Sequence, residues 1–143
     1  MSAGTGITHS EMNNNNKEEC KFLQIWVQPN QQNLTPDYHD YNISDLLQKN
    51  QLNLIVSPDD EVPATLHQDA WFSIGDFDTN VDLSYQLHKP GYGAYIFILD
   101  GKAQVVDEKL NRRDGMGISG LSHIDIKTEA ESRILLIEVP MTK

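Results

Sequence analysis

His9 and Glu11 stand two residues apart near the start of the chain, within Met1-Ser2-Ala3-Gly4-Thr5-Gly6-Ile7-Thr8-His9-Ser10-Glu11. On an extended segment residues i and i+2 share a face, so an imidazole and a carboxylate could reach one ion together. That donor pair suits a first-row transition metal. A His-x-Glu alone is a common pattern, and the bland reading is a solvated strand end. The other histidines are more scattered. His39 lies in the polar stretch Asp37-Tyr38-His39-Asp40-Tyr41, and His67 follows Leu66 as a surface position on a strand. His88 precedes Lys89-Pro90-Gly91, and His123 precedes Ile124. The chain has no G-x-S-x-G, phosphate-binding loop or dinucleotide fingerprint, and Gly91-Tyr92-Gly93 is too short to cradle a phosphate.

The elements that must position these residues are short. Apolar residues make up 38% of the 143, enough for one core and one main domain. The asparagine run at 13–16 with the charges after it reads as an exposed loop. Residues 22–28, Phe-Leu-Gln-Ile-Trp-Val-Gln, read as a strand with one buried face, ended by Pro29. Residues 44–49 predict a short helical turn, with Ser44 as cap and Leu46 and Leu47 inward. Strands follow at 52–56, in two pieces between 66 and 77 parted near Asp69-Ala70, and at 83–87. Three more follow at 95–99, at 102–106 and around Ile124 and Ile126, before a last one at 134–139. The pair Asp100-Gly101 reads as a hairpin turn. Short alternating strands without long helical periods predict an all-β sandwich or barrel. Leu54, Val56, Phe72, Ile96, Ile98, Ile126 and Leu136 are its expected core.

A net charge of −10 argues against direct nucleic-acid binding by simple electrostatics, and the eleven Lys and Arg form no basic run. The single Cys20 has no internal partner for a disulfide, which suits a reducing, cytoplasmic setting. No apolar run approaches the ~20 residues of a membrane span.

The opening string, followed by the 22–26 segment, is similar to the motif that closes the metal-binding half of the pirin family, bicupins related to bacterial quercetin 2,3-dioxygenase. Pro36 and Tyr38, Val56-Ser57-Pro58-Asp59, Gln68-Asp69-Ala70, residues 95–101, Asp114-Gly115 and Val139-Pro140 resemble successive landmarks of that family's C-terminal cupin. The resemblance implies that residues 1–30 are a remnant of the N-terminal, metal-binding cupin. Residues 31–143 are then the whole C-terminal cupin, a single antiparallel jelly-roll. Met1 matches a methionine inside the family motif, which implies a start or truncation within the parental gene.

The family's first cupin holds a non-haem iron or another divalent metal through three histidines and a glutamate. His9 and Glu11 match the last histidine and the glutamate, while the His-x-His that supplies the others has no counterpart here. No tightly bound cofactor is therefore expected in this chain. In the second cupin the general pattern places ligands at His88, Pro90, Ala94 and near His123, so His88 and His123 are weak candidates without a carboxylate. Three functions follow from the resemblance. The first is a C-terminal cupin half without activity of its own. The second is a flavonol (quercetin) dioxygenase whose site another chain completes, with Glu11 as catalytic base. The third is a non-enzymatic interaction or co-regulator module. The expected partners are a second copy of the chain or a separate N-terminal cupin, and no membrane.

Overall fold

The computed structural model describes residues 1–59 and 62–141. Its ten strands make two sheets packed face to face. They are β1 (Leu52–Ser57), β2 (Ala64–Thr65), β3 (Trp71–Phe77), β4 (Val81–Gln86) and β5 (Tyr92–Asp100), then β6 (Lys102–Val105), β7 (Glu108–Asn111), β8 (Gly115–Ser119), β9 (His123–Thr128) and β10 (Ser132–Pro140). The larger sheet runs β2-β1-β3-β10-β5-β8 and the smaller β4-β9-β6-β7. All pairings are antiparallel except β1 with β2. The all-β sandwich expected from the strand spacing is the fold observed.

Alternation along the strands makes the core. On β9, Ile124, Ile126 and Thr128 are buried while the residues between them are exposed. Their neighbours on β4, Leu83 opposite Ile126 and Tyr85 opposite Ile124, turn the same way. From the larger sheet, Ile134 and Leu136 of β10 pair with Ile98 and Ile96 of β5, and all four are fully buried. Burying one such side chain contributes about 1.5–3 kcal/mol, so these facing rows dominate the stability. Of the expected core, Phe72, Ile96, Ile98, Ile126 and Leu136 are buried. Leu54 and Val56 are only half-buried, because β1 has just the two-residue β2 beyond it.

Three local expectations need correction. The 22–28 segment forms no strand, and its apolar side chains lie open, Phe22 at 66% and Trp26 at 86% exposure. A strand needs a neighbour for its backbone groups, and none of the described residues pairs with this one. Second, residues Ser44–Leu46 make one turn of 3-10 helix, but Ile43 occupies the cap position without a side-chain cap bond, and Leu46 is exposed. The Asn42 side chain accepts from the Ser44 N–H instead. Third, Asp100-Gly101 does not close a hairpin. It is the corner at which the chain leaves the larger sheet at β5 and enters the smaller at β6.

The arm before β1 is held by bonds within itself and by two to the segment between β2 and β3. Ser2 and Asp37 bridge each other through both backbone N–H groups, and Thr5 donates to the Leu34 carbonyl. Asn30 donates to the His67 carbonyl, and the Gln68 side chain donates to the Gln28 carbonyl. No described helix is long and apolar enough to cross a membrane.

Candidate functional site

His9 and Glu11 do come together. Nε2 of His9 lies 3.9 Å from Oε1 of Glu11, with the two side chains 33% and 62% exposed. They meet on the irregular arm rather than on a strand, outside the sandwich. Among the described residues, nowhere do three of the side chains His, Cys, Asp and Glu gather closely enough to hold a metal. Two exposed donors fall short of the three protein ligands that a catalytic metal needs. The arm alone does not fit a tightly held transition ion.

His88 and His123 are not joined in one site. His123 opens β9 on its outward face, opposite Gln86, and its Nδ1 lies 3.3 Å from the Ser122 hydroxyl. His88 follows β4 and turns instead toward Glu138 of β10. Its Nδ1 is 2.7 Å from Oε2 of Glu138, and its backbone N–H donates to Oε1 at 2.8 Å. The Tyr85 hydroxyl donates to the same Oε2 at 2.9 Å and lies 3.3 Å from the imidazole. The imidazole also stacks flat on the buried Trp71, with ring centres 4.5 Å apart and planes 6° from parallel.

Glu138 is the residue that sequence reasoning missed, and it is fully buried. It continues the inward row of Ile134 and Leu136 on β10 and stands directly opposite Ala94 of β5. A carboxylate thus stands on the neighbouring strand, opposite position 94. One signal was available: Glu138 is the only charged residue in the apolar run 134–139, at an inward-facing position by strand alternation. Burial and the Glu138 carboxylate push the Tyr85 phenol far above its ordinary pKa, so the phenol stays protonated and donating.

A second polar group borders this cluster. Lys89 Nζ contacts Asp69 at 2.6 Å and lies 5.5 Å from the centre of the Trp71 ring. The Tyr92 hydroxyl donates to the same Asp69 oxygen at 3.1 Å. The hydrogen bonds from Lys89 and Tyr92 hold the Asp69 carboxyl below its ordinary pKa, and the bond to Asp69 raises that of Lys89. These groups are open to water, so their pairing contributes little to stability.

The architecture and both groups of residues can now be set beside known proteins. Residues 54–139 match the family described as the quercetinase C-terminal cupin domain, and residues 1–27 match the pirin family. The chain belongs to the pirin family. A curated relative, quercetin 2,3-dioxygenase of Escherichia coli K12, is 30% identical over 98% of this chain but only 59% of its own length. The putative quercetin 2,3-dioxygenase of Zymomonas mobilis is 27% identical over 96% of the chain and 58% of that protein. This pirin-family chain therefore spans about three fifths of the length of the relatives it matches. Among solved structures, the bacterial pirin YhhW of E. coli, in complex with nickel(II), aligns with a TM-score of 0.73 at 21% identity. That alignment covers 82% of this chain and 49% of YhhW. At that identity the likeness speaks for the fold, and it agrees with the single cupin expected from the resemblance.

Proposed function

We propose that this pirin-family chain is the C-terminal cupin half of a quercetin 2,3-dioxygenase-like protein and oxidises no flavonol on its own. In this reading residues 1–30 belong with an N-terminal cupin and residues 31–143 form the C-terminal one. The observation that carries it is the place of His9 and Glu11. They meet on an exposed arm where, among the described residues, no third His, Cys, Asp or Glu joins them, while the folded sandwich holds its own polar cluster elsewhere. The names of the curated relatives support the substrate class, and the two family matches support the two-part division.

The exposed apolar side chains of the arm favour one further reading. Phe22, Leu23, Ile25 and Trp26 lie open within five residues. Such clusters mark surfaces that associate, and this one lies on the same arm as the His9–Glu11 pair, beyond the asparagine run. A second cupin seated there, from another chain, would complete the set of donors. Glu11 would then act as the base that takes the flavonol hydroxyl proton.

Metal content tests the half-site directly. Protein purified without chelators is expected to carry the same metal, by elemental analysis, whether position 9 is His or Ala. A stoichiometric ion that disappears in His9→Ala would overturn the reading, since it would mean the arm completes its own site.

A further inference from the structure

We propose that residues 22–28 are an exchange strand: in a pair of chains, each arm adds to the open edge of β8 in the other. Phe22, Leu23, Ile25 and Trp26 lie open, and no described residue pairs with their segment despite its strand-like composition. At one end of the larger sheet, β8 is bonded to β5 on one side and to no strand on the other. Among the described residues, the backbone of 115–119 makes no backbone hydrogen bond outside that pairing. Sheets blunt such edges with charges, proline or very short strands. The other edges carry such guards: β2 is two residues long, β4 carries Asp82, and β7 carries Glu108 and Lys109. β8 reads Gly-Met-Gly-Ile-Ser, five residues with no charge and no proline.

Arm and edge match face by face. On a strand, Leu23, Ile25 and Val27 share one side, and Phe22, Gln24 and Trp26 share the other. On β8, Ile118 belongs to the core and Met116 packs half-buried against it, whereas Gly115, Gly117 and Ser119 are exposed on the outer side. Adding the arm with its aliphatic row inward extends the core past Met116 and Ile118. The aromatic row then lies over the two glycines. A Cβ at Gly117 would meet no atom within 4 Å, so there is room for a ring, and an aromatic neighbour shields the bare backbone of an edge glycine. Tyr95, opposite Gly117 on β5 and 44% exposed, continues that aromatic row.

A second copy supplies the strand, because the chain's own arm is held elsewhere. Gln28 and Asn30 are hydrogen-bonded to Gln68 and His67, in the segment that leads into β3. β10 and β5 lie between β3 and β8, a distance of three strand spacings, or about 14 Å. The arm is thus kept away from its own β8 and left open toward another molecule. Main-chain bonds along the edge would supply affinity, and the alternate side chains would fix the register. Reciprocal exchange occupies both arms and both edges, so the association closes at two chains.

The full chain is followed by sedimentation velocity over a range of concentrations, with amide hydrogen exchange read by mass spectrometry above and below the transition. The expected result is a monomer–dimer equilibrium in which the amides of 22–28 and of 115–119 exchange more slowly in the dimer, while those of β4 and β7 do not change. The paired variant Leu23→Asp, Ile25→Asp should weaken dimerisation at least about tenfold. Gly117→Lys, which puts a charge on the open edge, should do the same, and Lys109→Ser on the β7 edge should behave as the parent. Circular dichroism confirms that each variant is folded, and the arm variant decides the matter should Gly117→Lys not fold. A chain that is monomeric at every concentration, a dimer in which either segment gains no protection, or dimerisation undiminished by the arm variant or by a folded Gly117→Lys would each overturn the proposal. Assemblies that grow past the dimer would overturn it as well.

Discussion

Replacing Glu138 with alanine is expected to lower the unfolding free energy of the metal-free chain by about 3–5 kcal/mol, read from the midpoint of urea denaturation. The carboxylate accepts from the Tyr85 hydroxyl and the His88 backbone N–H, and it contacts the His88 ring. Alanine takes all three partners away and leaves a void at a position with no exposure. Each stranded buried donor costs about 1–3 kcal/mol, and the void adds to that. Glutamine can still accept one of the bonds, so Glu138→Gln should cost less than Glu138→Ala. A loss below about 1 kcal/mol for the alanine variant would mean that the cluster does not join the two sheets energetically.

The second large effect belongs to the corner between the sheets. Gly101 has a φ of +75°, in the left-handed region. A Cβ there would approach Cα of Ser132 at 2.6 Å and the Glu131 carbonyl at 2.7 Å. The strained backbone costs a β-branched residue about 1–2 kcal/mol, and the forced contact about 1–3 more. The neighbour cannot move freely, because the Ser132 hydroxyl donates to the Lys102 carbonyl and accepts from the Lys102 N–H. Gly101→Val is therefore expected to destabilise the chain by about 2–5 kcal/mol, with the two sheets losing cooperativity at this corner. Unfolding followed by circular dichroism checks it, and an unchanged midpoint would refute the steric argument.

The strands that became legible in the sequence are those whose apolar residues alternate or crowd together. Ile124 and Ile126, and the row Ile134 and Leu136, announced both strand and facing. β7 and β8 escaped notice because Glu-Lys-Leu-Asn and Gly-Met-Gly-Ile-Ser carry little strand preference of their own. They exist because β6 and β5 offer them an edge to pair with. The reverse error at 22–28 has the same origin: a strand-like composition forms no strand without a partner. Asp100-Gly101 was read correctly as a turn, yet a turn residue cannot say whether the next strand returns beside the last or crosses to another sheet.

The site divided in the same way. The His-x-Glu spacing alone leaves a solvated strand end as the bland reading, and it is the resemblance of the surrounding string that singles out His9 and Glu11, which the structure places 3.9 Å apart. The cupin pattern pairs His88 with a carboxylate at position 94, which the fold places on β5 beyond the loop that carries His88, and an alanine stands there. Cross-strand register, which no local pattern encodes, returns a carboxylate to that spot through Glu138 opposite Ala94.

The most direct measurement of the account is quercetin consumption under air by the metal-loaded chain alone, followed by absorbance against a metal-only blank, with Glu11→Gln in parallel. The account predicts that chain and blank are indistinguishable and that the variant changes nothing. Turnover above the blank that Glu11→Gln abolishes would contradict it, and would show that two copies of this chain, or one alone, assemble a complete site around His9 and Glu11.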